Sequence, residues 1–211
     1  MYQDPSGAKK RLLALMLITT LFAFAFSISS FYEWYVLADY DPRATPEDLS
    51  NDTMQTLGLL SLVIVMPRML LFIVTAVFFL IWVYRMHENA HALQLDGNIS
   101  SPGWAISAYI IPFINFFMPL VSLVQLAKSQ AAQLNVQTKN VWLVSWWLLF
   151  LFSMLMAATR GFFSEEGATV ETLRNDALTT GVSEFTLFLS GCLVWMVISR
   201  LTNQQVEIKE E

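Results

Sequence analysis

The stretch "WAISAYIIPFINFFMPLVSLVQL", Trp104 to Leu126, decides the fold. It is apolar and long enough to cross a bilayer, since about 20 mainly apolar residues span ~30 Å of hydrocarbon. Yet Pro112, Asn115 and Pro119 all fall within it. Each proline lacks a backbone donor and disturbs the turn before it. Two prolines around an asparagine predict a helix that breaks and returns to the side it came from. The alternative is an ordinary span with a kink, because proline is tolerated in membrane helices.

The flanks of that segment are built for lipid. The chain has 211 residues, 55% hydrophobic and 14% charged, well short of the ~25% charge of soluble domains. Residues 12–32, 140–159 and 185–199 carry no charge, and 57–84 carry only Arg68. This pattern predicts spans over 12–36, 58–84, 140–160 and 182–200. The broken segment covers 104–127, an interfacial stretch covers 86–103, and one polytopic domain covers 1–211. The fold class is therefore all-α integral membrane: four transmembrane helices plus a proline-broken re-entrant or kinked segment. Five spans is the alternative. A signal peptide competes for the first run, with "KKR" ahead of it and "AFA" at 23–25 as a small-x-small site. That apolar run continues well past the usual length of about 7–15 residues, which favours a retained span.

Charge orders the topology. With four spans, the Lys and Arg residues at 9, 10, 11, 85, 128, 139, 200 and 209 lie on the cytoplasmic side and those at 43, 160 and 174 outside. With five spans the division is six against five. Cytoplasmic loops carry the excess of Lys and Arg, so the first arrangement is favoured. The first loop, "ADYDPRATPEDLSND", holds five acids and one Arg and reads as external. Both termini then face the cytoplasm, across a bacterial inner membrane. Tyr32, Trp34, Tyr35, Trp82, Tyr84 and Trp142 mark the span ends as interfacial anchors.

Only two histidines occur, both in "HENAH", His87 to His91. Read as H-E-x-x-H, this places two histidines one helical turn apart with Glu88 as general base of a zinc hydrolase. A catalytic zinc needs a third protein ligand. The extended motif would put Gly at 94 and His at 97, where the chain has Gln94 and Gly97. After Asp96 the next acid is Glu165, across the membrane in the favoured topology. The favoured reading is an interfacial helix whose His and Glu face water or headgroups, with no catalytic and no metal site. An adventitious metal is the lesser alternative.

Arg68, in "VIVMPRMLLF", carries more weight. An Arg at the centre of a membrane helix costs about 2.5–3.5 kcal/mol on insertion scales, so it must snorkel or pair. Glu33 and Glu184 are the candidate partners. The alternative is that Pro67-Arg68 marks a boundary, with 57–66 lying shallow. Asn115 is the third candidate, because broken helices expose backbone groups that some transporters use as midplane sites. Ser122 and Gln125 add polar groups nearby. In the simpler reading, favoured here, Asn115 caps the break. The single cysteine, Cys192, excludes an intrachain disulfide and with Gly191 suits close helix packing.

The net charge of −5, with no basic patch, argues against nucleic acid. No Gly-rich phosphate loop and no Ser/His/Asp set is present, and no cofactor is called for. The expected role is non-enzymatic, as an interaction or scaffold component. Its expected partners are the lipid bilayer and either a second copy or another membrane protein. A small-solute channel or carrier using the polar site near the broken helix is the runner-up, and a membrane zinc hydrolase a distant third.

One ordered motif runs through residues 81–130. Trp82, Tyr84, Arg85 and Asn89 end one helix. Ser101, Pro102, Gly103, Trp104 and Ala105 form the turn signal, and Pro112, Asn115 and Pro119 follow. With "SRLTNQQ" at 199–205, this resembles a bacterial membrane family catalogued as domain of unknown function family 4328. The resemblance covers roughly two thirds of the chain. It implies a small multi-helix membrane protein and brings no known activity. The chain departs from the family at Met118, where a basic residue is common, and at Val124 and Gln125, where an Arg-Glu pair is common.

Overall fold

A computed structural model describes residues 1–159 and 169–210. Among these the chain is helical throughout, with no strand. The helices are α1 Ser6–Val36, α2 Asn51–Leu60, α3 Met66–Ala92, α4 Pro102–Ile110, α5 Met118–Gln133, α6 Val141–Ala158 and α7 Val170–Glu210. A π-helical turn, Ser61–Val65, joins α2 to α3 without interruption. Four stretches are long and apolar enough to cross a membrane: Ser6–Asp39, Asn51–Ala92, Val141–Ala158 and Val170–Glu210. The protein is an all-α membrane protein.

Three of the four long helical stretches run past the apolar windows that announced them, and α6, Val141–Ala158, stays within its own. The stretch 86–103, expected as an interfacial connection, is helix as far as Ala92, loop over 93–101 and helix again from Pro102. The last span, expected over 182–200, sits within a helix of 41 residues. Hydropathy marks the part that suits hydrocarbon. The helix itself continues wherever backbone bonding continues, whatever its side chains face. The end of the span expected at 160, and the outward-assigned Arg160 and Glu165, lie outside the described residues.

By its contacts the chain divides into two compact units. Unit 1 comprises Met1–Leu17, Ile73–Leu148 and Ser190–Glu211; unit 2 comprises Ile18–Phe72 and Leu149–Leu189. The boundaries fall inside α1, α3, α6 and α7.

The core of unit 1 is aromatic. Phe79 meets Trp82, Tyr109 and Trp146 at ring-centroid distances of 5.7, 5.5 and 5.9 Å, and Trp146 meets Trp147 at 5.3 Å. Edge-on ring pairs of this kind contribute about 0.5–1.5 kcal/mol each beyond area burial. Around them Trp82, Val83, Met86, Ala90, Ala105, Ala108, Leu123 and Leu126 are fully buried.

Unit 2 closes over the first loop. Leu37, Leu49 and Val170 form a buried cluster, flanked by Tyr40, Ala44, Leu57 and Leu173. The N-terminus of α7 is held there by backbone. Val170 N–H donates to the Ala44 carbonyl (2.8 Å) and Glu171 N–H to the Pro42 carbonyl (3.1 Å). Thr169 and Thr172 complete a reciprocal cap, so the first N–H groups of α7, which lack intrahelical acceptors, find partners. Gly181 lets α1 approach α7. A Cβ there would meet the Phe31 ring at 2.9 Å, while Ser27 Oγ donates to the Gly181 carbonyl at 2.9 Å. Cys192, expected in a close helix contact, is exposed instead.

Candidate functional site

The deciding segment is two helices joined by a tight break. Ser101 is the N-cap of α4, its hydroxyl accepting from Trp104 N–H at 3.4 Å, and Pro102 occupies the first helical turn. The Ser-Pro-Gly-Trp motif is thus a helix start. Proline is favoured there because its missing N–H is one of those no helix can satisfy. At the other end, Ile111 precedes Pro112 and is extended, with φ −74° and ψ 120°. A residue before proline is pushed out of the helical region in this way. Phe113 then takes φ 63° and ψ −40°, and Ile114 N–H donates to the Pro112 carbonyl at 2.8 Å. That is a γ-turn of the rarer, strained hand. Pro119 falls in the first turn of α5, again where its missing donor does no harm.

The segment doubles back as a helical hairpin. Ser100 Oγ, ahead of α4, reaches Gln125 Oε1 in α5 at 3.4 Å. Asn115 does not cap the break, contrary to the simpler reading of the sequence. Its side-chain Oδ1 is buried without a hydrogen-bond partner among the described residues. The carbonyl of Phe116 is instead served by the indole N–H of Trp147, at 2.8 Å. Tyr109 Oη and both amide atoms of the fully buried Gln130 also lack hydrogen-bond partners among the described residues. All three side chains belong to the hairpin.

Beside the hairpin, in the same unit, lies a buried polar network that the motif residues build. Asn89 is fully buried. Its Oδ1 accepts from Gln3 N–H at 2.9 Å, and its Nδ2 donates to the Gln3 carbonyl at 2.7 Å and to Gln205 Oε1 at 3.1 Å. Gln205 Nε2 donates to the Met86 carbonyl at 2.8 Å. One turn away, Trp82 Nε1 donates to Thr202 Oγ1 at 3.0 Å. The two separated patches of the motif, 82–89 and 199–205, are therefore each other's hydrogen-bond partners.

The histidines divide their labour. His87 is fully buried, not turned to water or headgroups as expected. Its Nδ1 lies 2.9 Å from the Val83 carbonyl, which can only accept, so Nδ1 carries the hydrogen. Nε2 is then free to accept from the Ser122 hydroxyl at 2.8 Å. This leaves His87 no lone pair for a metal. His91 is exposed and bonds the Ser100 carbonyl through Nε2 at 3.1 Å. No group of three His, Cys, Asp or Glu side chains suited to a metal occurs among the described residues. Of the other motif residues, Ala105 is fully buried under the hairpin, Tyr84 and Trp104 are exposed, Arg85 is half-buried, and Gly103 has open space where a Cβ would sit.

In unit 2 the second candidate is an ion pair. Arg68 grips Glu184 with both ends of its fork, Nε to Oε2 at 2.8 Å and Nη2 to Oε1 at 2.6 Å. The side chains are 14% and 4% exposed. Phe26 and Phe72 lie 5.8 and 5.6 Å from the guanidinium, over whose charge their ring faces close. The π-turn Ser61–Val65 ends just before Pro67. Proline removes a donor and crowds the preceding turn, and a wider turn absorbs that. Residues 57–66 are thus part of one continuous helical run into α3. Glu33, the other expected partner, makes no ion pair with Arg68 among the described residues.

A family described as "Domain of unknown function (DUF4328)" matches residues 45–203, three quarters of the chain. The chain belongs to this family. No curated protein and no solved structure matches it. Within the family match lie Trp82, Asn89, Thr202, the hairpin and the Arg68–Glu184 pair; Gln3 and Gln205, which complete the Asn89 network, lie outside it.

Thr202 and Gln205 sit in the 199–205 patch of the motif, whereas Ser122 and Gln130 carry no motif signal on their own. Their signal was periodicity. His87 falls four residues after Val83 and three before Ala90, on the buried stripe of α3. Ser122, Ser129 and Gln130 fall on the stripe of Pro119, Leu123, Leu126 and Ala127 in α5. A polar residue on an apolar stripe needs a partner on another stripe.

Proposed function

We propose that this chain is a small multi-pass protein of a bacterial inner membrane that works without catalysis, as an interaction or scaffold component. The observation that carries the reading is that the buried side chains with the most reactive chemistry are each held by a partner within the chain. Arg68 is taken by Glu184, Asn89 by Gln3 and Gln205, Trp82 by Thr202, and His87 by Ser122. Pairs of this kind fix a structure and leave little chemistry free for a substrate. The α2–α3 stretch suggests where a partner sits. Its most apolar window buries only 6% of its residues, against 50% for the last span. A cysteine at Leu70, on a Cys192→Ser background, should crosslink to a second copy or to one discrete partner in native membranes. Leu70-cysteine protein that stays uncrosslinked, while detergent-solubilised protein runs as a lone monomer, refutes the interaction role.

Charge supports an orientation with both termini in the cytoplasm and the hairpin re-entering from that side. Unit 1 holds eight of the twelve Lys and Arg residues and six of the seventeen acids, and unit 2 holds the other four and eleven. The eight are the same eight that four spans put inside. The tip of the hairpin is apolar, with Phe113, Phe116 and Phe117 exposed, as a segment dipping into lipid requires. Labelling of Gln137→Cys by an impermeant thiol reagent should need broken cells; labelling in intact cells overturns the orientation.

A small-solute path through the hairpin is the second reading, favoured by the unpartnered amides of Gln130 and Asn115. Reconstituted liposomes would then show a flux that Asn115→Leu abolishes.

A further inference from the structure

We propose that the cleft between α5, α6 and α7 is a seat for one anionic phospholipid. The cleft lies within unit 1 and has a volume of about 270 Å³. Its wall is mostly apolar, from Trp142 and Leu143 in the first turn of α6 and Met196 and Val197 in α7. Two cations, Lys139 and Arg200, also line it, and no acid does. Neither forms a salt bridge among the described residues, and both are exposed. Asn140 lines it too, with an Oδ1 buried and without a hydrogen-bond partner among the described residues.

Charge complementarity selects the occupant. A hydrocarbon-lined cleft edged by two unpaired cations matches an amphiphile with an acyl chain and a negative head, and a basic pocket between membrane helices is the form such recognition takes. A zwitterionic lipid offers the chain without the net charge, and free phosphate offers the charge without the chain. Position agrees. Lys139 and Trp142 flank the start of α6, and Trp142 is exposed, as an anchor at headgroup level is. The first N–H groups of α6 have no intrahelical acceptor and add to the field that an anion meets. The occupant would splint α5, α6 and α7, whether or not the protein is a scaffold.

Native mass spectrometry of the delipidated full chain tests this, with equimolar phosphatidylglycerol and phosphatidylcholine as competing probes. The wild type should retain phosphatidylglycerol in preference. Lys139→Gln or Arg200→Gln should each lower the preference roughly fivefold, and the pair roughly thirtyfold. Lys10→Gln with Lys209→Gln removes the same charge elsewhere and should change nothing. Val197→Trp, which fills the apolar wall and keeps both cations, should lower retention of both lipids. Melting temperature verifies that each variant is folded, and the single substitutions give the answer should the double variant fail. Equal loss in the Lys10/Lys209 control, no preference in the wild type, or full displacement by millimolar inorganic phosphate each overturns the proposal.

Discussion

Two residues show what a buried polar group is for in this chain. Asn89 makes three side-chain hydrogen bonds. Asn89→Ala leaves the buried Gln205 Oε1 without its donor, at about 1–3 kcal/mol, and releases the exposed Gln3 backbone to water. Asn89→Asp keeps the shape but cannot donate, and should be no better; thermal melts in one detergent would compare them. Arg68→Leu leaves Glu184 buried without its counter-charge, which costs about 3–5 kcal/mol, whereas Arg68→Leu with Glu184→Leu should recover most of that. If the double variant melts no higher than the single, the pair is not what holds this part of the fold. Arg68 was legible because a lone charge in an apolar run demands an explanation. Glu184 was legible only as one of two candidates, since the spacing of 116 residues in sequence carries no distance in space. Asn89 was legible as a motif residue without a reason, because its partners are an N-terminal backbone and an amide at the far end of the chain.

At the scale of the element, the hairpin and the loops hold the testable strain. Phe113 sits at φ 63°, a region that disfavours residues with a Cβ, at a cost of about 1–3 kcal/mol. Phe113→Gly should raise the melting temperature in detergent, and Phe113→Val should lower it. The reverse order would show that the ring's contacts outweigh the backbone. Asp48 caps the short 3-10 turn Pro46–Asp48 by accepting from Thr45 N–H and Oγ1 at 2.8 and 2.9 Å. Those bonds hold its carboxyl below the ordinary value of 3.8. A depressed folded value contributes stability above the unfolded pKa and loses it as pH falls through the folded one. The cap should therefore persist at neutral pH and fray in acid, below about pH 4. Exchange of the Thr45 amide as a function of pH would follow it. Proline and asparagine spacing made the break readable. The supplier of its hydrogen bond was not readable, because Trp147 lies 31 residues away and looked like an ordinary span aromatic.

For the whole molecule, composition sufficed for the class, and the spacing of charge-free windows sufficed for four helices long and apolar enough to cross. Neither reached the division into two units, whose boundaries fall mid-helix where hydropathy is featureless. The order in which the chain is made adds a constraint. Trp82 and Asn89 are synthesised long before Thr202 and Gln205, 120 and 116 residues later. At roughly 5–20 residues per second, the ribosome leaves their polar atoms waiting for roughly 6–24 s. During that time the nascent chain must keep a polar surface near Asn89 hydrated or covered by an insertion factor, and only the last helix closes it. Chains stalled before residue 200 should accordingly expose a cysteine placed at Met86 to thiol reagents, and released full-length chains should hide it. The final turns of α7 thus supply the last partners of this network, and chains lacking them should be degraded faster than the full-length chain.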